Sequence, residues 1–203
     1  MKAIIVIGRP SLDDFKSGIS MRFFEKSWII RSALTERLKF SEEDITVFHP
    51  NGTVGSGEKL KKNLESIFLN NPKEDICLFY AGHGQEDGWG LSGQKNIEAM
   101  TYEQLALIFS CHSGNLILVN YCCFAGAATA AFKHHPGESL MIAAMPVDVS
   151  GSSYNFCKLV LEHWAGQRFF NPHIARESML YIPPVEGKES LQSLMFSKMR
   201  SEL

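Results

Sequence analysis

The feature that most constrains the fold is an unbroken apolar run that ends at two adjacent cysteines, within Asn115–Gly126. Four apolar residues in a row, followed after one asparagine by Tyr121, are typical of a parallel strand buried on both faces. Cys122 and Cys123 come where this strand ends, and the small residues after them predict that a helix begins there. Ligands bind at the carboxyl ends of strands in open α/β sheets, and a helix N-terminus stabilises a thiolate. The stretch therefore predicts a reactive cysteine at one edge of a parallel sheet.

The length and charge of the chain limit the number of domains and the kinds of partner that we expect. The chain has 203 residues, 45% of them hydrophobic and 21% charged, with a formal net charge of −2. We expect a single domain over residues 1–203, with a core over about 2–165 on which the C-terminal segment 166–203 packs. The charge gives no reason to expect a nucleic-acid partner. The apolar start is too short for a signal sequence and no segment could cross a bilayer, so we expect a cytoplasmic protein without a membrane partner.

Other apolar runs predict four further strands, at Lys2–Gly8, Ile45–Phe48, Asp75–Tyr80 and Ser139–Ala144. Helical spacing predicts helices at Gly18–Phe40, from Ser56 or Gly57 onward, at Tyr102–Phe109, at Ala125–Lys133 and at Ser152–Trp164. A weaker pattern at Leu191–Met199 favours a last strand. Strands that alternate with helices over short connections predict an α/β fold, a mostly parallel sheet with helices on both faces, which is a three-layer α/β/α sandwich.

The third strand runs directly into a histidine, His83, that lies between two glycines. Gly82 and Gly84 predict a tight turn that leaves the imidazole near open space, and a loop is expected over Gln85–Glu98. Because parallel neighbours lie about 4.8 Å apart, loops from adjacent strand ends can bring this imidazole beside the thiol of Cys123. An imidazole there takes the thiol proton. Backbone N–H groups of Gly84 and Cys123 are the expected donors to an oxyanion.

Two of these motifs resemble those of a known family. Phe79–Gly84, FYAGHG, resembles the histidine motif of metacaspases and their bacterial relatives, and Cys123–Gly126 is similar to the nucleophile motif of the wider caspase-like clan. The order of strands and motifs agrees over roughly Lys2–Trp164. The resemblance implies a caspase-like fold and a cysteine endopeptidase, with His83 as general base and acid and Cys123 as nucleophile.

The choice between the adjacent cysteines depends on the motif. Cys123 has Gly126 three residues later, as the clan motif requires, whereas Cys122 has Ala125. Side chains alternate along a strand, so only one of the two thiols should face the histidine, and Cys122 is expected to be a buried structural thiol. The segment 111–114 spells the metacaspase nucleophile motif, but it precedes the strand, so a polar turn is the better interpretation.

The chain also departs from the family. Metacaspases carry an aspartate two residues before the nucleophile that helps to recognise a basic substrate residue, and here that position is Tyr121. A preference for basic residues is therefore not implied. Weak candidates for substrate binding near the expected cleft are Tyr121, Glu86, Asp87 and Asp148. The short connection His134–Glu138 leaves no processing linker and no prodomain is seen, so a single-chain enzyme is expected.

No metal or other cofactor is expected. The cysteines and the histidine pair His134-His135 have no recognisable zinc-ligand spacing, and the pair is interpreted as a solvated helix end. Metacaspase relatives often need calcium, but no loop here has the alternating acids of a dedicated calcium site, and calcium activation stays open. The oligomeric state is not predicted.

The resemblance also suggests a role. Small microbial caspase-like peptidases resemble components of stress, cell-death or defence systems, which implies a specific protein substrate, such as a pore-forming or regulatory partner released by one cut. The main alternative is a catalytically inactive binding or regulatory module of the same fold. A more distant alternative is a flavodoxin-like nucleotide binder that uses Gly52–Gly57.

Overall fold

The computed structural model describes residues 1–8, 19–37, 39–48, 57–90 and 99–143. The strands are β1 (Lys2–Ile7), β2 (Ile45–Phe48), β3 (Ile76–Ala81), β4 (His83–Gln85), β5 (Gly88–Gly90), β6 (Ala99–Thr101), β7 (Leu116–Tyr121) and β8 (Ser139–Ala143). The α-helices are α1 (Ile19–Ser32), α2 (Gly57–Asn70) and α3 (Tyr102–Ser110). A π-helical turn, Ala33–Arg37, continues α1, and there are 3-10 helices at Glu42–Asp44 and Ala125–Phe132.

Five strands form the main sheet, in the order β2-β1-β3-β7-β8, and every neighbouring pair is parallel. The predicted α/β fold with a mostly parallel sheet is therefore confirmed. Strands β3 and β7 are neighbours in full register, from Ile76 opposite Leu116 to Ala81 opposite Tyr121. The segments that follow these two strands consequently leave the same edge of the sheet side by side.

Both faces of the sheet are covered, because alternate residues of each buried strand point to opposite sides. Strands β3 and β7 are buried at every position, as expected for parallel strands between helices. The core on the side of α2 and α3 includes Ile4, Val6, Leu64, Phe68, Leu78 and Leu105. The core on the side of α1 includes Ile5, Ile7, Ile30, Leu34, Phe79 and Val119. Each large side chain that is fully buried contributes about 1.5–3 kcal/mol, so these two layers hold the sheet edge in place.

A second, antiparallel sheet of three short strands, β4-β5-β6, follows β3. The prediction of a loop over Gln85–Glu98 is wrong for its first part, because Gln85 ends β4 and Gly88–Gly90 forms β5. These strands have three residues each and two glycines in β5, so they lack the alternation that marks a strand in sequence. Burial of Trp89 anchors the hairpin to the main domain.

The remaining predictions agree in part. Helix α3 has the predicted start, with a capping box in which Thr101 and Gln104 satisfy each other's backbone N–H. The segment after the cysteines is helical as predicted but winds as a 3-10 helix. Predictions for Ser152–Trp164, Leu191–Met199 and 166–203 lie outside the described residues, as does most of the Gly52–Gly57 stretch. None of the helices in the described ranges is long and apolar enough to cross a membrane.

Candidate active site

Two segments leave the carboxyl edge of the sheet together. The backbone N–H of Gly82 donates to the carbonyl oxygen of Tyr121 at 3.3 Å, so the pairing of β3 with β7 continues one step beyond the strands. The chain after β3 then enters β4 at His83, and the chain after β7 enters a turn at Cys122 and Cys123. His83 and Cys123 therefore follow adjacent parallel strands, as the sequence predicts.

The backbones of these two segments are in direct contact. A methyl group added to Gly84 would lie 1.9 Å from the carbonyl oxygen of Cys123 and 2.8 Å from the sulfur of Cys122. Real Cβ atoms do not approach so closely, hence only a glycine fits at this position. His83 and Cys123 are each partly exposed to solvent. The histidine hairpin (β4 and β5) thus lies against the cysteine turn (Cys122–Phe124).

The hairpin register fixes the direction of the Gly84 amide. A two-residue turn joins Gln85 to Gly88, which makes these residues a hydrogen-bonded pair, and His83 and Gly90 form the next such pair. Gly84 and Trp89, between them, are a non-hydrogen-bonded pair. The N–H of Gly84 consequently points away from β5, out of the hairpin ladder.

The two adjacent cysteines have opposite environments. Cys122 is fully buried, and its thiol donates to the side-chain oxygen of Asn120 at 3.4 Å. Burial raises the pKa of the Cys122 thiol, so it stays protonated at neutral pH. Cys123 is partly exposed. Cys122 is therefore a buried structural thiol, as predicted, and Cys123 is the member of the pair that solvent reaches.

The residue after Cys123 has an unusual backbone. Phe124 lies in the left-handed region, with φ 53° and ψ 27°. This conformation costs a residue with a Cβ about 1–2 kcal/mol. Backbone strain of this kind clusters at active sites and ligand clamps, where the surrounding structure holds it in place. The strain here is located in the turn that presents Cys123.

The glycines at the sheet edge are needed for space. A methyl group on Gly82 would lie 2.5 Å from the Tyr80 hydroxyl and 2.8 Å from the Cα of Gly8, and one on Gly8 would lie 3.0 Å from the Cα of Gly82. Neither Gly82 nor Gly84 has a φ in the left-handed region, so what these positions require of a glycine is the absence of a Cβ. Gly8, Gly82 and Gly84 share this lack of space for a Cβ, and we term these three residues the glycine floor.

A buried amide, Asn120, was missed by the sequence analysis. Its side-chain oxygen accepts from the indole N–H of Trp89 at 2.9 Å, and its NH₂ group donates to the carbonyl of Ala125 at 2.9 Å and lies 3.4 Å from the Tyr102 hydroxyl. Asn120 is fully buried. The one available signal was a single polar residue within an apolar run, which does not reveal its partners.

Tyr80, in β3, fixes the backbone of the histidine hairpin by hydrogen bonding. Its hydroxyl donates to the carbonyl oxygen of His83 at 2.6 Å and lies 3.1 Å from that of Gly90, so it spans both strands of the hairpin. Its ring stacks on the ring of Trp89, with centroids 4.3 Å apart and planes 5° apart. Burial, with the nearby thiols, raises the pKa of Tyr80 well above its ordinary value, and the hydroxyl stays a donor. The backbone of His83 is therefore held by a neutral buried group.

The predicted substrate-binding residues have different locations. Tyr121 is buried, and the ammonium of Lys26 lies 3.5 Å from its ring centroid, in a cation–π contact. Glu86 and Asp87 form the exposed turn of the histidine hairpin, and the carbonyl of Asp87 accepts from the N–H of Tyr102. Asp148 lies outside the described residues.

The opposite end of the sheet holds a histidine pair. His112 is fully buried and donates from Nε2 to the carbonyl of Glu74 at 2.7 Å, and His135 donates from Nδ1 to that of Gly137 at 3.1 Å. Their other ring nitrogens lie 3.3 Å apart. His134 is exposed, but His135 is partly buried, so the predicted solvated helix end is right for only the first of the two. The segment 111–114 is a turn, as predicted, although its histidine is buried.

The sequence predicts that the cysteine and histidine side chains do not form a metal site. In the parts of the chain that the structure describes, no cluster of three or more His, Cys, Asp or Glu side chains could hold a metal ion. The histidine pair alone does not make such a cluster. No cofactor is indicated by the described residues.

Comparison with known proteins gives little further information. No protein-family model and no curated protein matches the chain. Among solved structures, the chain is similar to the crystal structure of Raptor from Chaetomium thermophilum, with 15% identity and a TM-score of 0.47 over 72% of this chain. The matched region is 15% of that chain, and a similarity at this level carries no functional conclusion.

Proposed function

We propose that this protein is a cysteine endopeptidase with a caspase-like three-layer fold, in which Cys123 is the nucleophile and His83 the general base and acid. The observation that carries the proposal is the seating of Gly84 against the carbonyl of Cys123. It brings the segment that begins with His83 onto the turn that presents the partly exposed thiol. A nucleophile and its base need this proximity, because the base must reach the thiol proton.

The reaction follows from these groups. The imidazole of His83 takes the proton of the Cys123 thiol, and the thiolate attacks the carbonyl carbon of the scissile peptide bond. The N–H groups of Gly84 and Cys123 donate to the resulting oxyanion. The imidazolium then gives its proton to the leaving amine nitrogen as the C–N bond breaks. A water molecule that loses a proton to His83 attacks the thioester, and release of the carboxylic acid regenerates the thiol.

Three features support this proposal. The non-hydrogen-bonded pairing of Gly84 with Trp89 turns the amide of Gly84 out of the hairpin. The burial of Cys122 leaves one accessible thiol at the strand end. The left-handed backbone of Phe124 places strain directly after that thiol. The substrate in this proposal is a specific protein that is cut in the cytoplasm by a single-chain enzyme.

Selective alkylation tests the dyad. Iodoacetamide should label Cys123 with a rate that falls at least about tenfold in His83→Ala, because removal of the base lowers the thiolate fraction. His134→Ala is the matched control, since His134 is exposed and adjoins the histidine pair at the opposite end of the sheet. Peptide mapping by mass spectrometry separates labelling of Cys123 from labelling of the exposed Cys111.

A peptide-library cleavage assay tests the reaction itself. Wild-type protein should cleave a subset of peptides, Cys123→Ala should cleave none, and Cys111→Ser should retain wild-type activity. The alternative, a catalytically inactive binding module of the same fold, predicts that Cys123 labels slowly and that His83→Ala changes nothing. That outcome would overturn the endopeptidase proposal.

A further inference from the structure

One amide side chain joins the two halves of the candidate site. Asn120 lies in β7, three residues before Cys123, and it is fully buried. It bonds to the histidine hairpin through Trp89 and to the segment after the nucleophile through Ala125. We infer that Asn120 is a positioning residue that fixes the histidine hairpin against the cysteine turn. The inference rests on the function proposed above.

Both the oxygen and the nitrogen of the Asn120 side chain have hydrogen-bond partners, and these partners are consistent with only one assignment of the two atoms. Its oxygen faces the indole N–H of Trp89 at 2.9 Å and the thiol of Cys122 at 3.4 Å. Its nitrogen faces the carbonyl of Ala125 at 2.9 Å and the hydroxyl of Tyr102 at 3.4 Å. An indole N–H can only donate and a carbonyl can only accept, so exchange of the oxygen and the nitrogen would break both short bonds. The side chain is therefore locked.

The connection to His83 is short and rigid. Trp89 pairs with Gly84 in the hairpin, and its ring stacks on Tyr80, whose hydroxyl donates to the carbonyl of His83. A displacement of Trp89 would thus be transmitted to His83 through the β-pair and through the stacked ring. Asn120 holds Trp89 through the indole nitrogen, which is the one polar atom of the Trp89 side chain.

The connection to Cys123 comes from both sides. The thiol of Cys122, directly before it, donates to Asn120, and the carbonyl of Ala125, two residues after it, accepts from Asn120. These contacts bracket the strained turn at Phe124. Misplacement of catalytic groups by about 1 Å can cost about a hundredfold in rate, so a residue that fixes both segments sets the geometry of the dyad.

Two substitutions, each of which leaves an aromatic ring in place, separate positioning from stability. Trp89→Phe removes the indole N–H that links Asn120 to the histidine hairpin, while retaining an aromatic ring against Tyr80. Tyr102→Phe removes a different partner of the same amide, the hydroxyl of a residue in α3, and it keeps the backbone N–H of that residue, which bonds to Asp87 in the hairpin turn. We expect Trp89→Phe to slow alkylation of Cys123 at least about tenfold and to change the pH dependence of its rate toward that of His83→Ala. Tyr102→Phe should keep the wild-type profile within about twofold.

Asn120→Asp is a further test variant beside Trp89→Phe, because it keeps the side-chain volume while losing the donors to Ala125 and Tyr102. Alkylation is followed well below every melting transition, which calorimetry supplies. A purely structural role would lower the melting temperatures and leave the pH profiles of folded Trp89→Phe and Asn120→Asp at wild type, which would overturn the inference. His83→Ala distinguishes this from failure of the proposed function. If that variant has no effect on alkylation, the dyad itself is wrong.

Discussion

The contact between the histidine hairpin and the cysteine turn predicts a severe effect of Gly84→Ala. The added methyl would lie 1.9 Å from the carbonyl oxygen of Cys123 and 2.9 Å from the Cβ of Cys122. A carbon–oxygen contact requires about 3.3 Å, so the two segments must separate by about 1.4 Å. The atoms nearest to the added methyl belong to the backbone of Cys123 and to the buried side chain of Cys122. No flexible side-chain end can therefore move to relieve the clash.

The expected magnitude follows from that displacement. Overpacking of this kind costs about 1–3 kcal/mol of stability, which corresponds to about 2–4 °C in melting temperature per kcal/mol for a chain of this length. The effect on chemistry should be larger, because a shift of about 1 Å between catalytic groups can cost about a hundredfold. We therefore expect Gly84→Ala to fold, to melt several degrees earlier, and to lose about two orders of magnitude in the alkylation rate of Cys123 and in peptide cleavage.

Gly88→Ala is the matched control. Its methyl would lie 2.3 Å from the carbonyl oxygen of Met100, so it strains the same hairpin against β6, away from the cysteine turn. Scanning calorimetry and alkylation followed by mass spectrometry give both quantities for both variants. The reasoning is refuted if Gly84→Ala reacts at the wild-type rate, or if Gly88→Ala loses as much reactivity at a similar melting temperature.

Two further predictions concern groups that titrate. Alkylation of native protein at mildly alkaline pH should modify Cys111 and Cys123 but leave Cys77 and Cys122 unmodified until the protein unfolds, because burial raises the pKa of both protected thiols; early labelling of either would contradict their burial. Burial and the neighbouring imidazole lower the pKa of His135 from 6.5 to about 4. The unfolded chain therefore binds more protons between these values, and stability should fall by on the order of 1–2 kcal/mol, discounted for partial exposure, as pH falls from 6.5 to 4. Chemical denaturation across this range should show a flatter dependence in His135→Gln, and an unchanged slope would contradict the assignment.

The parallel sheet was predictable from sequence for a physical reason. Strands buried on both faces require continuous apolar runs, and Ile45–Phe48 and Leu116–Tyr121 have bounds that local hydrophobicity alone defines closely. The histidine hairpin was not predictable in this way. Its strands are held by Trp89 and Tyr80, which act through stacking and through a hydrogen bond to a backbone carbonyl, and neither interaction leaves a periodic pattern.

The two expected dyad residues were identified from their places at strand ends, whereas the groups that surround them were not. Asn120 interrupts an apolar run, and its partners lie as far as 31 residues away in the chain. The pairing of His112 with His135 spans 23 residues, so the sequence showed two unrelated polar segments. Such contacts depend on how the elements pack, and a single sequence contains no local signal of them.

The glycine floor has a consequence for how this protein can diverge. A glycine has no side chain that can change by degrees, and even a methyl group added at any of these three positions would clash with neighbouring atoms, so the glycine floor cannot change gradually. Descendants of this chain should therefore keep the three residues of the glycine floor and differ in the residues around them.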